Sequence, residues 1–154
     1  MRFWGTVKIW LPLICCMVLL LPALQAQTIR DRILGNVQIV AQEECAVIDV
    51  GFNYPVRYVR HFVLHPADQA RTRLLPILVN PTQSDALFKR ESVRLQPDNP
   101  ATLAEVMYEG NLEGGPFLTL VFKEPVAFRV KGTADHRHLT VAVSRSGRPD
   151  SCIQ

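Results

Sequence analysis

The four histidines fall into two short-spaced groups, His61-x-x-x-His65 and His136-x-His138. Imidazoles at such spacing are what a zinc site draws on, with Asp68 and Asp135 as carboxylate companions. Zinc wants roughly three or four converging ligands, each oriented by an ordered partner. On an extended segment, His61 and His65 need not point the same way. His136 and His138 share a face only if their strand begins that early. The sequence therefore reads these histidines as turn and strand-end residues in solvent, with no metal and no other cofactor.

Hydrolytic chemistry finds no better footing. There is no Gly-x-Ser-x-Gly, His-Glu-x-x-His or phosphate-cradling Gly-rich loop. Glu43, Glu44, Glu105, Glu109 and Glu113 are the carboxylates a glycosidase would recruit. Such an enzyme needs two of them at a defined separation across a cleft, and nothing in their spacing fixes one. Without a nucleophile–base pair the expectation is a non-catalytic protein.

The basic residues carry the more useful pattern. Arg57, Arg129 and Lys131 alternate with Val56, Tyr58, Val126, Phe128 and Val130, and Arg71 and Arg73 alternate likewise. If the apolar members face a core, the cations face outward. Arg57, Arg71, Arg73, Arg129 and Lys131 are thus the candidate ligand-binding residues, a cationic sheet face suited to carboxylate- or phosphate-bearing polymers. The competing reading is an ordinary solvated face that protects sheet edges. Nucleic acid is not the expected partner. Without Arg2 and Lys8 the 17 basic residues become 15, against 14 acidic ones, so no basic excess remains.

Arg2 and Lys8 belong instead to a targeting segment. They precede an uncharged apolar run, Ile9 to Leu21, and Pro22-Ala23-Leu24-Gln25-Ala26 follows with small residues suited to signal-peptidase cleavage. A run of 13 residues is short of the roughly 20 that a membrane span requires. The expectation is a signal peptide over 1–26, export to the periplasm, and no stable membrane span after cleavage; an uncleaved anchor is the alternative. Cys15-Cys16 lies too early in the run for lipidation. Of the four cysteines, Cys45 and Cys152 then remain. An even pair in an exported chain points to a disulfide, and two free thiols are the other possibility.

Positioning such residues falls to short strands. Period-2 alternation marks Asn36–Val40, Ala46–Phe52, Val56–Leu64, Arg71–Val79, Ser92–Leu95, Leu103–Tyr108, Phe117–Phe122, Val126–Val130 and Leu139–Val143. Eleven prolines argue against long helices. Gln27–Leu34 reads as a short helical lead-in and Thr82–Lys89 as a helical turn or two. Both faces of Phe117–Phe122 are largely apolar, which predicts a central strand covered on both sides. The organisation expected is a signal peptide (1–26), a lead-in (27–35), a β-domain (36–143) and a polar tail (144–154).

One pattern occurs twice, 70 positions apart. Ile48-Asp49-Val50-Gly51-Phe52-Asn53-Tyr54-Pro55-Val56-Arg57-Tyr58 aligns with Leu118-Thr119-Leu120-Val121-Phe122-Lys123-Glu124-Pro125-Val126-Ala127-Phe128. Each copy reads as a strand ending at Phe, a bend, then Pro opening a new strand, a position where no ladder donor is needed. Two such units, neither able to bury its apolar face alone, predict an all-β, two-sheet β-sandwich built from two similar halves.

Leu118-x-Leu120-x-Phe122-x-x-Pro125-Val126-x-Phe128-x-Val130, followed by Asp135 and Leu139-x-Val141-x-Val143, resembles the AMIN domain. That family is a non-catalytic periplasmic module of cell-wall amidases and secretins. The resemblance spans roughly Cys45 to Val143. It implies a small sandwich of two symmetric sheets that targets the cell envelope, with peptidoglycan as the ligand. The expected partner is a cell-wall polymer or an envelope protein. A structural or assembly accessory role, contacting envelope proteins only, is the alternative.

Overall fold

The computed structural model describes residues 31–63 and 71–145, together with Pro149 and Cys152. The expected leader, most of the lead-in, His65 and Asp68 lie outside the described residues. The chain divides into two compact units, Met1–Arg32 and Ile33–Gln154. Every described strand lies in the second unit. No helix among the described residues is long and apolar enough to cross a membrane.

The all-β expectation holds. The described strands are β1 (Leu34–Ala41), β2 (Ala46–Phe52), β3 (Val56–His61), β4 (Thr72–Pro81), β5 (Arg90–Arg94), β6 (Leu103–Glu109), β7 (Phe117–Gly132) and β8 (His138–Ser144). All pairings are antiparallel, in the order β1-β2-β8-β7-β4-β3, with β6 also on β7 and β5 on β6. Strand β7 has 16 residues and serves two sheets. Its first part pairs with β4 and β6, its second with β8. Sheet I is therefore β1-β2-β8-β7 and sheet II is β3-β4-β7-β6-β5. Phe117–Phe122 is central, between β4 and β6, but covered on one side only: Leu118, Leu120 and Phe122 are buried, whereas Phe117, Thr119 and Val121 are half-buried on the outer face.

Several boundaries differ from the sequence reading. Phe117–Phe122 and Val126–Val130 are one strand, not two, because residues 123–125 form an irregularity within the ladder rather than a break. Opposite it, the β4–β7 register jumps from Thr72↔Val126 to Leu74↔Val121. Strand β3 stops at His61, short of Leu64. Leu34 opens β1 instead of closing a helix. The helical segment within Thr82–Lys89 is a 3-10 helix, Ser84–Phe88.

The repeat is visible in the pairing. In the first copy the chain leaves sheet I after Phe52 and enters sheet II at Val56; in the second, β7 passes from sheet II to sheet I across the same positions. Leu34 pairs with Phe52 and Leu103 with Phe122, and each pairing is followed by a bulge. Asn53 N–H donates to Ile33 O at 3.0 Å, and Lys123 N–H donates to Thr102 O at 2.8 Å. Residues of both sheets fill one buried cluster, among them Ile48, Val50, Leu75, Ile77, Leu118, Leu120, Leu139 and Val141.

The margin where β1 approaches β5 is closed by a side chain. The Glu91 carboxylate accepts from Ile33 N–H at 2.8 Å and from Leu34 N–H at 2.9 Å. These charge-assisted bonds satisfy donors at the start of an edge strand. Nearby, the fully buried Tyr108 donates its hydroxyl proton to Ala86 O at 2.9 Å. Burial, and then the negative charge of Glu91, push the Tyr108 phenol up to about 12 from 10.0.

A phenol whose folded pKa lies above its unfolded value contributes stability that is complete below pH 10 and is lost as pH rises toward about 12. That contribution is on the order of 2 kcal/mol. A tyrosinate absorbance titration should show one of the three tyrosines ionising last, and Tyr108→Phe should remove that step. An unchanged titration in the variant rules out the buried phenol as its source.

Candidate functional site

The outer face of sheet I is built from alternate residues of four strands. Core positions Val50, Leu139, Val141, Phe128 and Val130 point inward, so their neighbours point out. Register then lines up two rows across the sheet. One runs Val40, Val47, Ala142, Arg129; the next runs Gln38, Asp49, Thr140, Lys131. His138 opposes Gly51 one row further on. Its Nδ1 lies 2.8 Å from Asp49 Oδ2, and the side chains are 42% and 32% exposed, so an incoming group can reach the pair. Arg129 and Lys131, two apart on one strand, are both exposed on this face.

The face thus carries two cations, a carboxylate–imidazole pair and a hydroxyl on a rigid ladder. It offers bidentate and single donors to carboxylates, and mixed donors and acceptors to sugar hydroxyls. Gly51 keeps it close-set: a Cβ there would run into the Asn36 side chain.

The five cations predicted from sequence do not form one surface. Arg129 and Lys131 lie on the outer face of sheet I. Arg57 sits on β3, opposite Asn80, and points outward from sheet II. Arg71 donates from Nη2 to Arg145 O at 2.6 Å, which ties the end of β8 to the start of β4. Arg73 is exposed at the β4 irregularity. The residues that sequence reasoning missed are Asp49 and Thr140, along with the place of His138 in the next row beside Asp49. The signal was there: Asp49 is the one charge in Ala46–Phe52, at an outward position of an otherwise apolar strand.

The remaining histidines and acids have local duties. His136 adopts φ 57° in the turn before β8, so it does not share a strand face with His138. Asp135 accepts from Thr133 Oγ1 at 2.5 Å and from Arg137 N–H at 3.0 Å, bonds that hold its carboxyl below the usual range. His61 Nδ1 lies 2.8 Å from Tyr58 Oη with its ring edge-on to Phe128, and burial lowers its pKa. Among the described residues no three His, Cys, Asp or Glu gather where they could hold a metal ion. Glu109 pairs with Arg90 at 2.8 Å and Glu105 with Arg94 at 3.8 Å, all on the outside of sheet II.

Cys45 and Cys152 are placed as a disulfide pair, with Cα atoms 6.6 Å apart. A cavity of about 480 Å³ lies against them, lined also by Gln42, Glu43 and Glu44. Glu43 and Glu44 make its wall acidic. The chain matches no known protein family, no curated protein and no solved structure, so these geometries are the ground for any functional reading.

Proposed function

We propose that this protein is a non-catalytic, exported envelope-binding domain: a two-half β-sandwich that holds a carboxylate-bearing cell-wall polymer, peptidoglycan, on the outer face of sheet I. The observation that carries the reading is the alignment of Arg129 and Lys131 with Thr140 and the Asp49–His138 pair on one face. A polymer alternating sugar hydroxyls with carboxylates presents the complement of that row. The apolar run before Ala26 and the Cys45–Cys152 pair support a periplasmic location, where thiols oxidise. Arg57, Arg71 and Arg73 lie off this face and take no part.

Retention on purified cell-wall sacculi tests the proposal. A hydrogen bond to a charged group is worth about 1.5–3 kcal/mol, and each 1.4 kcal/mol is about tenfold in affinity. Arg129→Ala should therefore weaken retention about tenfold, and the double variant with Lys131→Ala more. Arg57→Ala should change it little. Retention should also fall as salt rises, since these cations are exposed. Equal retention of the double variant and the parent removes the site, and no retention above an unrelated exported domain removes the function.

A further inference from the structure

We infer that the outer face of sheet II is a self-association surface, closed by a second copy of this chain about a two-fold axis parallel to the strands between β4 and β7. This rests on a different face from the proposed polymer site and stands or falls separately.

Buried neighbours fix which residues point out. Ile77, Leu118, Tyr108, Leu75, Leu120 and Val106 fill the core, so the alternate positions face solvent. They form rows across β3, β4, β7, β6 and β5. The first is Arg60, Leu78, Phe117, Glu109, Arg90. The next, from β4, is Pro76, Thr119, Met107, Ser92, and the third is Leu74, Val121, Glu105, Arg94. Two central columns are thus almost wholly apolar, and Leu74 is 41% exposed. Phe62 extends them, its ring edge-on to Phe117 at 5.9 Å and covered by the Arg60 guanidinium at 4.7 Å. An apolar centre with a charged rim is the anatomy of a protein interface.

Charge decides the occupant and the axis. Two copies of one face meet about a two-fold axis lying in the contact plane. An axis along the strands between β4 and β7 lays β4 on β7 and β3 on β6. Leu78 then meets Phe117, Leu74 meets Val121, and Arg60 meets Glu109 of the second copy. Moving that axis onto β7 sets Arg60 against Arg90. Turning it across the strands sets Glu109 over Glu105. Only the first arrangement joins apolar to apolar and cation to anion. Four strands at about 4.8 Å and five residues at about 3.3 Å make a modest face. At about 320 Å² of sheet per copy it falls below the roughly 800 Å² per partner of standard interfaces, so a weak dimer dissociating at about micromolar to millimolar concentration is expected.

Sedimentation of the full chain, purified in whatever processed form it takes, across a concentration series that brackets that range, reads the mass. The expected result is a monomer–dimer transition that Leu78→Arg shifts at least tenfold in concentration. Arg60→Glu, an exposed position whose folding is checked by its melting curve, should shift it likewise. Leu78→Cys and Phe117→Cys proteins, mixed and treated with a short thiol cross-linker under conditions that spare the native disulfide, should give more cross-linked dimer than either alone. A monomer at every concentration overturns the inference. So does a dimer that survives Leu78→Arg, or cross-linking with no preference for the mixed pair.

Discussion

Reduction of the Cys45–Cys152 pair is expected to lower the free energy of unfolding by about 2–4 kcal/mol while leaving the strands in place. The two residues are 107 positions apart, so the bond closes most of the domain into one loop and removes correspondingly many unfolded conformations. Its ends already meet without it. Ala46 pairs with Val143, and Ser144 Oγ donates to Glu44 O at 3.1 Å. No ladder among the described strands depends on Cys152. Circular dichroism should therefore keep its β signature in reductant while the urea midpoint falls. Paired Cys45→Ala and Cys152→Ala should reproduce the shift, and reductant should then do nothing further. Coincident midpoints with and without reductant would falsify the contribution.

Much of the fold was legible because inward side chains recur every second residue. Ala46–Phe52 and Leu139–Val143 show that alternation, and both lie within strands flanked on each side. The 70-residue repeat was legible for a further reason: Phe52 and Phe122, and Pro55 with Pro125, stand where the chain changes sheet. What the pattern could not show is whether a proline ends a strand or only bends it. Pro55 separates β2 from β3, whereas Pro125 lies inside β7. Turn composition is the same in kind at both; the difference comes from the partner strands.

The site was harder to read. Alternation tells which cations point outward from their own strand, but not which sheet that strand joins. Arg57 follows Pro55 and Arg129 follows Pro125, in corresponding stretches of the two copies although not at aligned positions. The repeat exchanges the sheets, so the two arginines end on different faces. Asp49 and His138 are 89 positions apart and meet only through the β2–β8 pairing. That pairing is set by burial of the whole ladder, which no local window contains.

Leu34→Ala should cost as much as Leu103→Ala, about 2–5 kcal/mol each. The sequence alone places Leu34 in a lead-in, where truncation would do little. Its period-2 signal is broken because the bulge after it sets Leu34 and Val37, three apart, toward the same core, as Leu103 and Val106 are set in the second half. Both leucines are buried, at 1% and 0% exposure, and each is paired with a core phenylalanine, Phe52 or Phe122. Removing either side chain leaves a void that close-packed neighbours fill only in part. Leu34 also carries one of the two N–H donors that Glu91 holds, so truncating it disturbs the margin between the sheets as well as the core. Urea unfolding of the two variants measures the comparison. A loss at Leu103 with almost none at Leu34 would mean that the first half of the repeat does not begin at β1, and that the shared bulge is a coincidence of two unrelated strands.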